Sequence, residues 1–182
     1  MSRFILGLCW TIASLPVLVP AQGPTLLKDV NATTLPNESS TPKRFVDLGA
    51  FTLFNARTDD HGVELWRTDG TAAGTRLVLD IATGATDSDP RDLVVLGNRV
   101  VFTATDQIHG RELWITDGTA AGTVMLADIE TGSFSSSPHS LIEFGGLIYL
   151  SANEALHGRE PWVTDGTPAG TRILKDIMIG GD

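Results

Sequence analysis

Apolar positions along this chain fall in short runs that are separated by turns rich in Gly, Pro, Asn and Asp. Outside the N-terminal segment, no stretch has the 3.6-residue apolar period of an amphipathic helix. Alternation is clear where Leu113 and Ile115 would point to one face of a strand and Trp114 to the other. Other strands, such as Val100-Val101-Phe102, are apolar throughout. This pattern predicts β-sheets that are covered on both faces.

One group of strands is repeated three times. The stretch E-L-W-R-T-D-G-T returns as E-L-W-I-T-D-G-T and E-P-W-V-T-D-G-T, so that Trp66, Trp114 and Trp162 are 48 residues apart. Each unit contains four short apolar runs joined by glycine-rich turns, which is the size and content of a propeller blade. The sequence therefore predicts an all-β, β-propeller-like array of three four-stranded blades. Because closed propellers have four to eight blades, we expect an incomplete propeller.

The repeat also predicts the organisation of the chain. We expect a signal peptide at 1–21, a leading strand and polar loop at 22–41, three repeat units and a further unit or tail at 178–182. The three units are predicted at 42–81, 90–129 and 138–177. Three blades are compatible with a fragment of a longer protein, with assembly of several copies or with an open stack. The resemblance of the last residues to the start of a unit favours a fragment.

The N-terminal segment has the features of a secretory signal. Arg3 precedes an apolar run that extends to Val19, and cleavage is expected between Ala21 and Gln22. The alternative is a membrane anchor, but the run is shorter than the roughly 20 apolar residues that span a bilayer. We therefore predict a protein that is secreted or displayed at the cell surface, without membrane insertion after cleavage. Its one cysteine, Cys9, lies within the signal, so no disulfide is expected.

The net charge of the chain limits the classes of molecule that it is expected to bind. Cleavage would leave 12 basic residues against 22 acidic ones, a formal charge of −10. This balance argues against nucleic acid and anionic membrane surfaces. It is compatible with cation binding, although acidity also serves solubility.

The Asp-Gly-Thr turns are the candidate calcium sites. Asp69, Asp117 and Asp165 each supply one carboxylate, but calcium loops need several oxygen ligands and the neighbouring alanines provide none. The alternative is a structural turn, in which the aspartate caps the backbone and the glycine adopts positive φ. Those glycines, which we predict to be structural anchors of the repeat, are Gly70, Gly118 and Gly166.

Histidine and tryptophan recur in every unit as well. His61, His109 and His157 would lie at one rim, too far apart in stacked sheets to share a zinc ion. The simpler hypothesis is a hydrogen bond within each loop, with Glu64, Glu112 or Glu160 as the candidate partner. The fourth histidine, His139, is predicted at the surface.

Repetition also argues against catalysis by these residues, because an active site needs its side chains once, whereas a scaffold needs them in every blade. We predict that Trp66, Trp114 and Trp162 are packing anchors buried between blades. The chain contains no nucleophile elbow, Cys/His zinc spacing, P-loop or dinucleotide fingerprint. We assign no catalytic or cofactor-binding residue from the sequence, and we expect no enzyme activity.

On these motifs the chain resembles the bacterial ELWxxDGT repeat family from about residue 43 to its end. Glu64-Leu65-Trp66 with Asp69-Gly70-Thr71, and the second copy, fit the motif fully, whereas Pro161 replaces its leucine in the third. The resemblance implies a propeller-like fold and an exported protein with an extracellular interaction role; some members are labelled hyalin-like. It implies no catalytic residues. Pro161 lacks a backbone donor, so regular pairing of the third blade is in question.

Segments that differ between units are the expected source of specificity. They are the loops at 31–40, 82–89 and 130–137 and the tips at 57–60, 105–108 and 153–156. The first loop holds sequons at Asn31 and Asn37, and Asp87 and Asp89 form one local acidic site. The leading hypothesis is a non-enzymatic extracellular binding or adhesion scaffold for an unidentified protein or glycan, with self-association possible. The alternatives are an accessory propeller of a larger secreted enzyme and a calcium-dependent structural repeat.

Overall fold

The computed structural model describes residues 25–31 and 39–178, which form twelve β-strands and no helix. The strands fall into three antiparallel sheets of four, and in each sheet the spatial order follows the chain. The first sheet contains β1 (Lys43–Asp47), β2 (Thr52–Thr58), β3 (Gly62–Thr68) and β4 (Arg76–Leu79). The second contains β5 (Arg91–Leu96), β6 (Arg99–Asp106), β7 (Gly110–Thr116) and β8 (Val124–Ala127). The third contains β9 (His139–Phe144), β10 (Leu147–Glu154), β11 (Gly158–Thr164) and β12 (Arg172–Ile173).

Each sheet is a blade, named blade 1, 2 or 3 in chain order. The central strands pair over seven residues without interruption, as where Phe54 lies opposite Trp66 and Phe102 opposite Trp114. Glycine turns join the first two strands of blades 2 and 3 at Gly97 and Gly145, whose φ angles are 62° and 65°. The predicted all-β, propeller-like array of three four-stranded blades is confirmed, and it is open.

The hydrophobic core lies between the blades. One cluster joins Leu53 and Leu65 of blade 1 to Phe102 and Trp114 of blade 2. A second cluster likewise joins the opposite face of blade 2 to blade 3, with Leu113 and Ile115 packed against Ile148 and Leu150. Blade 2 is therefore covered on both faces, which explains the apolar run at 100–102 in its second strand. The first strands of the blades, β1, β5 and β9, lie side by side.

The first strand of every blade begins with an unusual backbone conformation. Arg44, Asp92 and Ser140 have φ angles between 52° and 58°, and a bulge interrupts the pairing at the same point of each sheet. Three residues earlier, positive φ recurs at Thr41, Asp89 and Ser137. Positive φ is uncommon outside glycine. Positive φ recurs at equivalent positions in all three blades, where the chain enters the first strand. The conformation is therefore a feature of the repeat.

The predicted leading strand is not a strand. Residues 25–31 lie along blade 1 without forming a ladder, since they have no sheet of their own to join. They are held by side chains instead. Val30 packs against Phe54, Ala56 and Trp66, and the ammonium group of Lys28 donates a hydrogen bond of 2.6 Å to the carbonyl of Thr75.

Pro161 affects blade 3 on one side only. Strand β11 pairs with β10 over its full length, including Pro161 opposite Ser151. On its other side, β12 has two residues where β4 and β8 have four, and Leu174 donates a hydrogen bond of 2.8 Å to the carbonyl of Pro161. The doubt that Pro161 raised about regular pairing therefore applies to the outer strand alone.

The predicted signal peptide with its cleavage site, Asn37, and residues 179–182 lie outside the described residues. Among the residues that are described, no helix has the length and apolar character needed to cross a membrane.

Candidate functional site

The Asp-Gly-Thr turns use their polar groups internally. The Oδ1 atom of Asp117 accepts hydrogen bonds from the backbone N–H of Thr119 at 2.8 Å and from its hydroxyl at 2.7 Å. The Thr119 hydroxyl oxygen in turn accepts the N–H of Gly122 at 3.0 Å. These threonine hydrogen bonds lower the pKa of Asp117, and the same pattern lowers the pKa of Asp69 and Asp165. Each aspartate thus stabilises its own turn.

Glycines in these turns face neighbouring blades. Gly118 has a φ of 82°, and a Cβ atom there would lie 2.2 Å from the ring of Phe51. Its carbonyl accepts a hydrogen bond of 3.0 Å from the guanidinium of Arg67, which lies 4.6 Å from the centre of the Phe51 ring. Gly166 approaches Leu96 of blade 2 in the same way, whereas Gly70 has open space beside it. The turn therefore also connects a blade to the one before it.

The three turns do not converge on a common point. No group of three or more His, Cys, Asp or Glu side chains that could hold a metal ion occurs within residues 25–31 and 39–178. Asp69, Asp117 and Asp165 each lie in a separate blade, with one carboxylate oxygen engaged by threonine.

The repeated glutamates fasten each blade to the linker that follows it. The carboxylate of Glu64, which is fully buried, accepts the backbone N–H groups of Ile81, Ala82 and Ser88 and the Ser88 hydroxyl at 2.5 Å. Burial raises the pKa of Glu64 to about 7, although these donors oppose the increase. In blade 2, Glu112 makes the equivalent bonds to the linker, including the Ser136 hydroxyl at 2.5 Å, and burial raises its pKa as well. In blade 3, Glu160 accepts the N–H groups of Ile177 and Met178.

Histidine partners differ from the prediction. His61 lies 3.2 Å from Asp80, His109 lies 2.7 Å from Asp106 and His157 lies 2.8 Å from Glu154. Glu64, Glu112 and Glu160 were wrong as partners because they are buried and engaged by the linkers. The carboxylates raise the pKa of His109 and His157. His139 is exposed on β9, 2.9 Å from the Ser140 hydroxyl.

The tryptophans lie against the faces of the blades. Trp114 is buried between blades 1 and 2, Trp162 is half-buried between blades 2 and 3, and Trp66 is buried beneath Val30. Their three indole N–H groups are buried and have no hydrogen-bond partner among the described residues. These side chains therefore contribute apolar contact area, and those of Trp66 and Trp114 are closed to a ligand.

The predicted acidic site at Asp87 and Asp89 is not available as an acidic surface, because arginines neutralise it. One guanidinium nitrogen of Arg57 donates to both carboxylate oxygens of Asp87, at 3.1 and 3.2 Å. Asp89 lies between three guanidinium groups, those of Arg44, Arg91 and Arg111. Since Arg44 belongs to blade 1 and the other two to blade 2, Asp89 bridges the two blades. The sequence separation of these arginines gave no signal of this arrangement.

Loop tips and linkers meet at one end of the blades, which we call the loop rim (residues 57–61, 82–89, 105–109, 130–137 and 153–157). Gln107 at the tip of blade 2 donates hydrogen bonds to the Thr83 carbonyl and the Thr86 hydroxyl of the preceding linker. The backbone N–H of Arg111, just after this tip, donates a hydrogen bond of 2.9 Å to the hydroxyl of Ser135 in the following linker. Three large apolar side chains of this rim are exposed, by 68% at Ile108, 72% at Phe134 and 87% at Leu156.

Of the two predicted glycosylation sequons, the structure describes the asparagine of the first. The side chain of Asn31 is buried, and its Oδ1 atom accepts the N–H of Asp59 at 3.3 Å. An N-linked glycan needs a side-chain nitrogen that is open to solvent, which this packing disfavours. Asn37 lies outside the described part of the chain.

Comparison with known proteins shows distant structural similarity and no match in sequence. No family model matches the chain, and no curated protein matches it. One solved structure that is similar is an endo-1,4-beta-xylanase from Bacteroides thetaiotaomicron VPI-5482, at 17% identity and a TM-score of 0.36. The alignment covers 78% of this chain and 55% of the xylanase, so the chain spans about half the length of that protein. A similarity at this level carries no argument about fold or activity.

Proposed function

We propose that the protein is an exported, non-enzymatic repeat protein that binds an extracellular protein or glycan through its loop rim. One observation carries this proposal: the repeated polar groups are engaged within the fold, whereas the rim exposes three large apolar side chains, those of Ile108, Phe134 and Leu156. The glutamates hold linkers, the aspartates hold turns and the tryptophans are covered. The rim is the part of the described surface that differs from blade to blade.

Physical properties of the rim suit a binding surface. The loops are mounted on paired strands whose central register is regular, so their tips are held in place by a rigid scaffold. Phe134 presents an exposed aromatic ring, which can pack against the apolar face of a sugar or against a protein side chain. Ile108 and Leu156 occupy equivalent positions on adjacent tips, and Asp60 takes that position in blade 1. The apolar part of the rim is therefore on blades 2 and 3.

The test measures binding of the purified protein to immobilised extracellular polysaccharides and to intact cells. We expect saturable binding to at least one of these, and a reduction of at least about tenfold in affinity for the triple variant I108S/F134S/L156S. The matched control is Val124→Ser, because Val124 is also exposed but lies on β8, away from the rim. Equal binding by the triple variant and the parent, or no binding to any surface, would overturn the proposal.

Two further measurements separate the alternatives. Release of reducing ends from a bound polysaccharide would favour an enzyme over a scaffold. A melting temperature that falls when a chelator is added would favour the calcium-dependent repeat, for which the Asp-Gly-Thr turns are the candidate ligands.

A further inference from the structure

The outer face of blade 3 is apolar and uncovered by any residue that the structure describes. A groove of about 520 Å³ on this face is lined by Ile142, Tyr149, Pro161, Ile177 and Met178. Its apolar side chains are not random surface residues. They occupy the positions that the first two blades use to pack against the following blade.

The repeat allows this face to be compared position by position. Val78 of blade 1 and Leu126 of blade 2 are exposed by 6% and 3%, whereas the equivalent Leu174 of blade 3 is exposed by 47%. Three residues later in the sequence, Ile81 and Ile129 are exposed by 8% and 7%, whereas the equivalent Ile177 is exposed by 67%. Blade 3 thus keeps the residues of a blade–blade interface without a blade against it.

The opposite end of the array carries the matching half. At the two internal interfaces, Leu93 is packed in the cluster that includes Val46, and Leu141 in the cluster that includes Val94. The equivalent of Leu93 and Leu141 in blade 1 is Phe45, which is exposed by 61%. The equivalent of Val46 and Val94 in blade 3 is Ile142, which is exposed by 62%. Phe45 and Ile142 are therefore the two unpaired halves of a third such contact, at opposite ends of one chain.

From this complementarity we infer that blade 3 of one copy docks against blade 1 of a second copy, with Ile142 packed on Phe45. A second copy is the occupant because this chain carries both halves of the interface, in the register that its internal interfaces already use. The contact is heterologous, joining different surfaces of the two copies, and two such contacts close a ring. A ring of two copies contains six blades, within the range of closed propellers.

Residues 25–30 fit this arrangement. Their sequence, T-L-L-K-D-V, repeats that of 172–177, R-I-L-K-D-I, so Val30 corresponds to Ile177. Val30 already covers Phe54 and Trp66, as Ile81 covers the equivalent surface of blade 2. In the dimer Val30 keeps this place and residues 174–178 of the docking copy are released, so that Leu27 and Val30 take the interface positions of Leu174 and Ile177. The release costs the two hydrogen bonds that Glu160 accepts from the N–H groups of Ile177 and Met178.

The experiment measures association of the purified chain by sedimentation velocity over a range of concentrations. We expect a monomer–dimer equilibrium, and an increase of at least about tenfold in the dimer dissociation constant for Ile142→Asp and also for Phe45→Asp. The control is Val124→Asp, which changes an exposed apolar residue on β8 of blade 2, away from both proposed surfaces, and leaves association unchanged. Circular dichroism establishes that each variant is folded, as expected at exposed positions.

A mixture of the two variants decides the geometry of the contact. In a head-to-tail pair, one interface of the mixed dimer joins the intact Phe45 of one copy to the intact Ile142 of the other. Mixing F45D with I142D therefore restores association, at lower affinity than the parent chain. A monomer at all concentrations would overturn the inference. So would dimers that are lost in I142D and kept in F45D, because they would join two copies of blade 3. Neither result bears on ligand binding by the loop rim.

Discussion

Blade 2 and blade 3 are built from nearly the same repeat, yet their outer strands differ. In blade 2, β8 has four residues and Leu126 is buried by blade 3. In blade 3, β12 has two residues, and Leu174 at the equivalent position is half exposed. Glu112 holds its linker through backbone and serine donors, whereas the bonds of Glu160 come from two backbone N–H groups.

This difference shows which parts of a blade are autonomous. The central pairs β6–β7 and β10–β11 have the same seven-residue register, although one is covered on both faces and the other on one. The outer strand, by contrast, is shorter in blade 3, where Pro161 removes a ladder donor and no described blade covers the outer face. The central strands therefore pair without a following blade, whereas the outer strand depends both on its own partner strand and on the neighbouring blade.

The largest effect that tests this comparison is expected at Trp114, which lies between two blades. Trp114→Ala should lower the free energy of unfolding by about 3–5 kcal/mol, because a large cavity opens inside a closed interface. Trp66→Ala is the matched variant, since Trp66 is covered by a segment that can move to fill the space. We expect a loss of about 1–3 kcal/mol there. Urea denaturation measures both. A W114A midpoint that barely moves, or equal losses in the two variants, would contradict the comparison.

A second pair of variants compares equivalent positions of blades 2 and 3 directly. Leu126→Ala should cost about 2–4 kcal/mol, because Leu126 is buried between blades 2 and 3. Leu174→Ala removes the same side chain from the uncovered face and should cost less than about 1 kcal/mol. Thermal melts at a concentration where the chain is monomeric give the difference. If L174A were as unstable as L126A, the outer strand of blade 3 would be as fully packed as that of blade 2.

The smallest effect concerns pH and the buried carboxylates of the covered interfaces. Burial raises the pKa of Glu64 in the folded state to about 7, above the ordinary value of 4.5, so the folded state retains a proton that the unfolded state releases. Stability from this group is present below pH 4.5 and is lost as pH rises to about 7, by about 1–3 kcal/mol. Burial shifts the pKa of Glu112 in the same direction.

Urea denaturation at several pH values between 4 and 8 tests this expectation. Glu64→Gln should reduce the decline in stability, whatever its effect at a single pH. Glu143→Gln, at an exposed position of β9, is the control and should retain the decline. An unchanged pH dependence in E64Q would show that Glu64 does not titrate in this range.

The sequence was sufficient for the sheets, because the 48-residue period, the glycine turns and the alternation around Trp114 all indicate the same blade. It failed where a residue's surroundings depend on another blade. Residues 25–30 match a fourth strand in sequence, but they have no sheet to join. The histidines were assigned to glutamates that proved to be enclosed by linkers. Asp89 is surrounded by arginines from two blades, a convergence that no local spacing reveals. Trp114 and Trp162 lie between blades as predicted, whereas Trp66 lies beneath Val30 on the outer face of blade 1.

The bond between Glu64 and Ser88 spans 24 residues, half the 48-residue period, and Glu112 and Ser136 repeat it. Each fastening thus begins in one unit and ends at the entrance to the next. An unequal crossover between two copies of the gene that keeps this register adds or removes whole units and leaves each glutamate that precedes another unit with its serine. The number of blades can therefore change in evolution without a new kind of blade–blade interface.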